Sequence, residues 1–546
     1  MTWHTHPGPR PQPTSFPNPR ALGVPHDTWR PHQYEALAKL QQSIGNGTSH
    51  HFLEAPTGSG KSALATALAV DSRVLVLVAT LGLLDQYHRE YGFTIVKGRQ
   101  EYPCVDPNRI TEWANIYEQV PSAFECPHAR MDACEHAGEC PYLIAKHRAT
   151  LAQRVAVTYK YASLARWPKE RVGILVCDEC HSLAEEVLSF GHWTIGEWHQ
   201  RKYGVPDPRK HFIAETHRAC DEYLMGRLKT YIQDCIAATK GYENDKDSPE
   251  GSRGYRFHIG AKHLLTDTLP MTTDWFLDVG PQVAKGKPGL MLRPLDARPI
   301  AHRLWENKQA TVLMSATIGD PKPLAGELGI ASYEFTTLPH LIPVDKRPVD
   351  VIFSQKLTHA ARQANPGVHR GQALAISHWV NNLPEHYRGI ILTTSYHKIR
   401  ELKQHLELNG RLWEAPKNCN GVASRIQAFI DDPRPGIVAV DTIQGWGHGL
   451  DLRGDLGHFV VVAGVQHSNP SDPYDRARKS KPGGQTYQWW LAYSGVVQAC
   501  GRVTRGTLDD AGDYILKHAA IADGSALTKA ALRYYPQWFK DALQGW

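Results

Sequence analysis

A candidate phosphate-binding loop occupies residues 55–62, in the run A-P-T-G-S-G-K-S. A strand-like stretch precedes the run and a helix-like stretch follows it, which is the context that such a loop requires. Its glycines would let backbone N–H groups approach phosphates, its lysine would contact the β- and γ-phosphates, and its serine would hold Mg²⁺. The residues predicted to bind ATP here are Thr57, Gly58, Ser59, Gly60, Lys61 and Ser62.

A pair of carboxylates follows a second apolar run, in the order Asp178-Glu179-Cys180-His181 after residues 172–177. A carboxylate at the carboxyl end of a parallel strand lies in the crevice where such sheets bind ligands. Asp178 is therefore predicted to hold Mg²⁺, and Glu179 to polarise the attacking water as a general base. His181 is assigned to coupling between the nucleotide and a bound partner.

A third group of polar residues lies more than 400 positions after the loop, at 498–505. Arg502 and Arg505 are three apart and would share one helical face, with Gln498 one turn earlier. Alone, such arginines are more often surface ion pairs. After two phosphate-site motifs, they are predicted to neutralise charge on the γ-phosphate during hydrolysis, and Gln498 is placed with them in the catalytic set.

Two weaker motifs complete the nucleotide prediction. Small residues that follow the apolar run 310–314 suit a coupling role, and they are Ser315, Ala316 and Thr317. Gly449 and Asp451 are predicted to form a loop that faces ATP from a second domain. Each motif alone is a weak signal, and its position relative to the phosphate-site motifs supports the prediction.

Four cysteines cluster between the first two motifs, at Cys104, Cys126, Cys134 and Cys140. Their irregular spacing lacks the paired C-x₂-C pattern of a zinc ribbon, whereas four thiolates are the usual ligands of a 4Fe–4S cluster. Zinc is the alternative, and His128 and His136 are alternative ligands. The remaining cysteines are interpreted as buried or incidental thiols: Cys177, Cys180, Cys220, Cys235, Cys419 and Cys500.

The chain has 546 residues, enough for two to four domains. Its 61 lysines and arginines against 55 acidic residues give a net charge of +6, which permits a nucleic-acid partner without requiring one. No stretch approaches the roughly 20 apolar residues of a membrane helix, and the start of the chain lacks a signal-peptide layout. We expect a cytoplasmic protein with reduced thiols and no membrane association.

Apolar strand-like runs alternate with helix-like runs along most of the chain, which indicates an α/β fold with parallel sheets. The strand-like runs are 51–53, 74–79, 172–177, 310–314, 389–393, 437–440 and 458–462. Two stretches interrupt this alternation. Residues 98–146 are polar and cysteine-rich, and residues 186–300 are mostly helix-like, so both are predicted to be insertions.

The order of these motifs from residue 30 to residue 506 resembles the XPD/DinG family of iron–sulfur superfamily 2 helicases. Further matches carry the resemblance: Arg30-Pro31-His32-Gln33, Lys97-Gly98-Arg99, Cys140-Pro141-Tyr142, Val157-Thr158-Tyr159, Thr393-Thr394-Ser395-Tyr396 and His448-Gly449-Leu450-Asp451. Gln33 corresponds to the adenine-side glutamine of the family. His448 departs from the family pattern, which has an acidic residue there, and Cys180 replaces a more common alanine.

The resemblance implies two RecA-like P-loop motor lobes with ATP and Mg²⁺ between them. It also implies a small 4Fe–4S domain and a helical arch-like domain, both inserted in lobe one. The predicted segments are a disordered proline-rich tail (1–26), lobe one in three parts (27–97, 147–185 and 301–339), the cluster domain (98–146), the arch-like insertion (186–300) and lobe two (340–546).

The activity implied by the resemblance is ATP-dependent 5′-to-3′ movement on single-stranded DNA with separation of 5′-tailed duplex. RNA or R-loop substrates are left open, as is a monomer or a subunit of a larger complex. The competing prediction is a translocase or nucleoprotein remodeller that does not separate strands. A protein with an inactive motor is disfavoured because Lys61, Asp178 and Glu179 are all present.

Overall fold

The computed structural model of the chain describes residues 17–545 with short gaps, at 31, 71, 118–119, 127–133, 165–171, 213–215, 244–248, 285–286, 366, 418, 420, 447–451, 453 and 504–514. Within it, three sheets account for the strands. Two are parallel and correspond to the two predicted lobes, and the third is antiparallel.

Lobe one begins with alternating helices and strands. Its first strands are β1 (His50–Glu54), β2 (Val74–Val78), β3 (Thr94–Val96), β4 (Arg154–Thr158) and β5 (Ile174–Asp178). The helices of this part are α1 (Gln33–Gly45), α2 (Lys61–Ala67), α3 (Leu81–Tyr91), α4 (Pro107–Tyr117), α5 (Pro141–Leu151), α6 (Tyr159–Leu164) and α7 (Leu183–Ser189).

The start of the chain corrects the prediction of a disordered tail. Residues 17–26 were assigned to a disordered tail, but Leu22 and Val24 are buried in the core of lobe one because both are apolar and face α2 and its neighbours. The guanidinium of Arg154 fixes this segment by donating to the carbonyls of Leu22 and Gly23. Helix α1 then begins at Gln33. Residues 1–16 lie outside the described residues.

The cysteine-rich insertion contains α4 and the start of α5, joined by irregular chain. Among its described residues, strand pairing is limited to an isolated bridge between Pro103 and Ser122. Cys140 is the residue before α5 and Pro141 is its first residue, a position where proline costs no hydrogen bond. The scarcity of strands agrees with the sequence pattern.

The second insertion is not purely helical, which corrects the prediction of a helical domain. Its helices are α8 (Glu197–Tyr203), α9 (Pro208–His211), α10 (Glu222–Ala238) and α11 (Pro249–His263). A four-stranded antiparallel sheet accompanies them, in the order β6-β9-β8-β7, with β6 (Trp193–Gly196), β7 (Thr216–Ala219), β8 (Trp275–Ala284) and β9 (Lys287–Pro294). The strands form because alternate residues such as Trp275, Leu277 and Val279 bury one face against α10 and α11.

The chain then returns to lobe one with α12 (Arg298–Trp305), β10 (Ala310–Ser315), α13 (Lys322–Leu328) and β11 (Glu334–Thr337). The completed seven-stranded sheet has the order β11-β1-β10-β5-β2-β4-β3, and its pairs are parallel. Strands β2, β5 and β10 are buried at every residue, as their continuous apolar runs predicted. The carboxyl ends of β1, β5 and β10 therefore meet at one edge.

Lobe two holds a six-stranded parallel sheet in the order β14-β13-β15-β16-β12-β17. Its strands are β12 (Val349–Val351), β13 (Gly389–Thr393), β14 (Val438–Thr442), β15 (Phe459–Val462), β16 (His518–Ile521) and β17 (Leu543–Gln544). Its helices are α14 (His359–Ala364), α15 (Val368–Asn381), α16 (Tyr396–Lys403), α17 (Val422–Asp431), α18 (Ile443–Trp446), α19 (Pro473–Ser480), α20 (Gly484–Cys500), α21 (Lys529–Tyr534) and α22 (Gln537–Lys540).

Helices α19 and α20 pack lobe two against the rest of the molecule. Tyr474 of α19 packs with Phe276 and Leu295 of the insertion, and its hydroxyl donates to the carbonyl of Pro294 at 2.8 Å. Arg478, also on α19, forms ion pairs with Glu185 and Glu327 of lobe one at 2.9 and 3.0 Å. The two lobes and the second insertion thus share one packed junction.

Candidate nucleotide site and cysteine insertion

The predicted phosphate loop links β1 to α2 as the sequence pattern required. Gly58 and Gly60 have φ angles of 84° and 83°, in the left-handed region that glycine adopts without strain. Lys61 is the first residue of α2, and its Nζ donates to the carbonyl of Ala55 at 3.2 Å. The loop therefore surrounds the space in front of the α2 N-terminus, where backbone N–H groups can receive phosphate oxygens.

Gln33, predicted from the family motif, lies against this loop. Its amide Nε2 donates to the carbonyl of Ser59 at 2.7 Å and to that of Gly60 at 3.3 Å. A Cβ atom on Gly60 would lie 2.0 Å from the same Nε2, so a larger residue at this position would displace the Gln33 amide. Arg30, which sequence reasoning did not assign, donates to the carbonyl of Gly58.

The two predicted carboxylates face the loop from the end of β5. The carboxylate of Glu179 lies 3.8 Å from Lys61 Nζ, so the proposed base and the proposed phosphate ligand occupy one site. Glu179 has a φ of 54°, an uncommon conformation for a residue other than glycine. Such backbone strain persists where the surrounding structure enforces it, as it often does at functional sites.

Asp178 is buried behind the loop and held by two hydrogen bonds to its carboxylate. The hydroxyl of Tyr87 donates to Oδ2 and the backbone N–H of Glu179 donates to Oδ1, both at 2.9 Å. Burial, followed by the charge of Glu179, raises the pKa of Asp178 to about 6, against the opposing effect of Lys61. Asp178 lies in the same crevice as the phosphate loop. A divalent cation bound there would favour the charged form of its carboxylate.

The predicted coupling residues meet at the end of β10. His181 Nδ1 lies 3.0 Å from the hydroxyl of Ser315 and 3.3 Å from the Glu179 carboxylate. The hydroxyl of Ser315 lies 3.4 Å from that of Thr317, and the Thr317 N–H donates to it. A short chain of polar contacts thus leads from Glu179 to Thr317. Ala316, between these two hydroxyl residues, is buried.

Helix α20 of lobe two docks on this coupling loop. Gln498 Nε2 donates to Thr317 Oγ1 at 3.2 Å, and Ser494 Oγ donates to the Thr317 carbonyl at the same distance. Trp490 Nε1 donates to the carbonyl of Ile318 at 2.7 Å. Arg502 lies buried one turn after Gln498, and its catalytic role stays a prediction. Arg505, Gly449 and Asp451 lie outside the described residues.

Glu54 is a second buried carboxylate that sequence reasoning missed. It is the last residue of β1, and its Oε2 accepts from the N–H of Gly319 at 2.6 Å. Burial raises the pKa of Glu54 to about 7, against the lowering effect of hydrogen bonds from the Gly319 and Ile318 backbone and the charge of Lys540. The phosphate-loop strand is thereby tied to the loop that carries Thr317.

The four predicted cluster ligands are all described, and none is in a disulfide. Cys104 and Cys140 lie near enough for their charges to interact, and burial raises the pKa of Cys104. In the described part of the chain, however, no group of three or more metal-ligating side chains comes together. Residues 127–133, between Cys126 and Cys134, are outside that part. The donor chemistry fits an iron–sulfur cluster, and the assembled ligand set stays a proposal.

Sequence reasoning missed three residues of the site. Tyr87 and Tyr159 are aromatic residues within apolar stretches, which usually means core packing, yet both hydroxyls bind Asp178, that of Tyr159 at the backbone carbonyl. Glu54 carried a weak signal, because an acidic residue between a buried strand and a phosphate loop is unusual.

Among the described residues, no helix combines the length and apolar character needed to cross a bilayer.

Two family models match the chain. A model for the Type III restriction enzyme res subunit matches residues 26–203, and a model for the helicase C-terminal domain matches residues 379–541. These ranges include the phosphate loop and both carboxylates in the first domain, and α20 in the second. No curated protein sequence matches the chain significantly. The domain matches support a nucleic-acid-dependent ATPase of the helicase type.

Several solved structures share the fold over nearly the whole chain. A structure described as XPD helicase has a TM-score of 0.59 and 14% identity, and the alignment covers 93% of this chain and 98% of that one. Xpd4 of S. tokodaii has a TM-score of 0.55 and 16% identity, over 94% and 100% of the two chains. A structure described as XPD apo has a TM-score of 0.56 and 14% identity, over 92% and 98%. The resemblance predicted from the sequence is therefore confirmed at the level of the fold, and the chain has two RecA-like domains in an XPD-like arrangement.

Proposed function

We propose that the chain is an ATP-dependent DNA helicase that moves 5′ to 3′ on single-stranded DNA and separates duplex ahead of it. The observation that carries the ATPase part is the meeting of Lys61, Glu179 and Asp178 at one sheet edge, with Lys61 Nζ 3.8 Å from the Glu179 carboxylate. DNA as the track and the 5′-to-3′ direction rest on the family resemblance. Strand-displacement assays test both the track and the direction.

The proposed hydrolysis divides the work between two lobes. Lys61 and the backbone of the loop would bind the β- and γ-phosphates, and Ser62 and Asp178 would hold Mg²⁺. Glu179 accepts a proton from the attacking water, which then adds to the γ-phosphorus as the bond to the β-phosphate oxygen breaks. Arg502 and Arg505 stabilise the charge on the transferred group from lobe two.

Coupling to movement would use the contact between Thr317 and Gln498. The polar chain from Glu179 through Ser315 to Thr317 ends on α20, so a change at the γ-phosphate reaches lobe two through hydrogen bonds. Loss of the γ-phosphate would shift the position of α20 and let the lobes separate. One cycle of closure and opening advances the strand.

Replacement of Lys61 tests the ATPase assignment. Lys61→Ala should abolish hydrolysis stimulated by single-stranded DNA, because the β- and γ-phosphates lose their cationic ligand. Lys39→Ala, an exposed lysine on α1, is the matched control and should hydrolyse ATP at the wild-type rate. Turnover retained in Lys61→Ala would refute the motor assignment.

Polarity and strand separation need a second assay. Wild-type protein should displace the strand of a 5′-tailed duplex and leave a 3′-tailed or blunt duplex intact. The translocase alternative predicts DNA-stimulated hydrolysis and displacement of a bound protein, such as streptavidin from a biotinylated end, without strand separation. RNA-tailed and DNA–RNA hybrid substrates in the same assay establish the preferred track.

We also propose a 4Fe–4S cluster held by Cys104, Cys126, Cys134 and Cys140, with a structural role. Support comes from the donor set, four thiols outside disulfides within one insertion, and from the proximity of Cys104 to Cys140. Such a cluster would fix the irregular chain between α4 and α5. Zinc in place of iron is the alternative outcome, and metal analysis of purified protein distinguishes the two.

A further inference from the structure

Tyr87 holds one of the two side chains that the proposed function assigns to Mg²⁺ and lies beside the other. Its side chain on α3 has no exposed surface, and its hydroxyl donates to Asp178 Oδ2 at 2.9 Å. Burial raises the pKa of this hydroxyl, and the neighbouring side chain of Ser62 acts in the opposite direction. Ser62 lies on α2 and Asp178 ends β5, so one side chain from a third element lies next to both.

We propose that Tyr87 is a positioning residue for the magnesium site, where its hydroxyl sets the orientation of the Asp178 carboxylate. This inference rests on the proposed function, because it takes Mg²⁺–ATP to be the ligand of that site. Tyr87 lies outside both the phosphate loop and the carboxylate motif.

The surroundings of Tyr87 give its hydroxyl a fixed position. The ring meets that of Phe93 edge to face at 5.1 Å and lies 6.2 Å from the ring of Tyr91. Tyr87 belongs to the core beneath the sheet together with Val76 and Val176. A ring packed on several sides cannot turn without opening the core, so its hydroxyl is held where it is.

The hydrogen bonds of Asp178 divide between its two oxygens. The N–H of Glu179 donates to Oδ1 and Tyr87 donates to Oδ2. Hydrogen bonds to a ligand carboxylate from neighbouring residues fix its rotation and affect metal affinity. A neutral donor has a further advantage here, because it orients the carboxylate without adding a positive charge that would repel Mg²⁺.

Tyr87→Phe in the full chain removes the hydroxyl and keeps the ring. We expect the Mg²⁺ concentration for half-maximal ATP hydrolysis to rise about tenfold, with activity recovering at high Mg²⁺. Binding of a fluorescent ATP analogue should be unchanged in EDTA and weaker at limiting Mg²⁺. A loss of packing alone would weaken nucleotide binding equally with and without the metal.

Tyr91→Phe is the matched control, one turn later on the same helix. In the described part of the chain its hydroxyl is not among the hydrogen-bond partners of Asp178, so its Mg²⁺ dependence should stay at the wild-type value. An unchanged Mg²⁺ requirement in Tyr87→Phe, or an equal change in Tyr91→Phe, would overturn the inference.

A double-mutant cycle gives a second measurement, which does not depend on catalytic turnover. Magnesium-dependent binding of the ATP analogue is compared in Tyr87→Phe, Asp178→Asn and the double variant. If Tyr87 acts through the carboxylate, the two effects will be non-additive, and additive effects will contradict it. Wild-type protein that binds the analogue without any Mg²⁺ dependence would instead refute the proposed magnesium site itself.

Discussion

Gln498 of lobe two donates a hydrogen bond to the Thr317 hydroxyl of lobe one, across 3.2 Å. Both residues are buried, and Thr317 is in turn linked to Ser315 and so to the Glu179 carboxylate. The contact can therefore couple a change at the nucleotide site of lobe one to a movement of lobe two. Its importance can be measured without disturbing the phosphate loop.

Gln498→Met should reduce the stimulation of ATP hydrolysis by single-stranded DNA about tenfold while ATP binding stays unchanged. Methionine keeps the length of the side chain but leaves the Thr317 hydroxyl without this donor, and a lost buried hydrogen bond costs about 1–3 kcal/mol. The measurement is the ratio of turnover with and without DNA. Gln485→Met, at the other end of α20, is the control, and equal ratios in both variants would contradict the coupling role.

Glu54 should make the stability of the protein depend on pH. Because burial raises the pKa of Glu54 to about 7, the folded state holds its proton more tightly than the unfolded state does. Its contribution to stability is therefore greatest below the ordinary glutamate pKa, declines as the pH rises towards 7, and is constant above that.

Glu54→Gln removes that decline, since an amide does not ionise and can still accept from the Gly319 N–H. We expect the variant to be more stable than wild type at pH 8 by about 1–3 kcal/mol and similar at pH 4.5. Thermal unfolding midpoints between pH 4.5 and 8 provide the test. Glu112→Gln, an exposed position on α4, should follow the wild-type profile. Parallel profiles for Glu54→Gln and wild type would show that Glu54 titrates normally.

Arg478→Met should destabilise the junction between the lobes by about 3–5 kcal/mol. The arginine is 5% exposed and pairs with Glu185 and Glu327, so its removal leaves two carboxylates without their common partner. The first unfolding transition in calorimetry should move to lower temperature. Arg201→Ala, whose ion pair with Glu197 is 74% exposed on the arginine side, should change stability by less than about 0.5 kcal/mol.

Cys134→Ser should remove the visible absorbance that an iron–sulfur protein shows, because the cluster loses one of its four thiolates. The absorbance spectrum and the iron content of anaerobically purified protein provide the measurement. Cys220→Ser is the control, since that thiol lies in the other insertion and should leave the spectrum unchanged. Colourless wild-type protein with one equivalent of zinc would replace the iron–sulfur proposal by its alternative.

The sequence predicted the position and the conformation of the loop at 55–62 because both depend on local order. Gly58, Gly60 and Lys61 must follow one another at the end of a strand, and apolar runs such as 74–78 can only be buried strands in this context. The positions of Asp178 and Glu179 followed from the same strand rule.

The features of the fold and the site that the sequence did not predict depend on tertiary packing. Tyr87 is indistinguishable from a core aromatic until β5 brings Asp178 to its hydroxyl. Strands β8 and β9 pair antiparallel although they contain Gly280, Pro281 and Pro288, residues that argue against strands in a local reading. The tail prediction failed at 17–26 because a high proline content outweighed the two apolar side chains that fold back onto lobe one, Leu22 and Val24.

The contact of Tyr474 with Phe276, Leu295 and Pro294 bears on how far the chain can be simplified. Residues 186–300 are an insertion in the order of the sequence, yet their sheet supplies part of the apolar surface on which α19 rests. A shortened protein in which these residues are replaced by a brief linker would expose the Tyr474 ring and loosen the helix that leads into Gln498. The insertion is thus not a detachable module, because the position of α19 in lobe two depends on it.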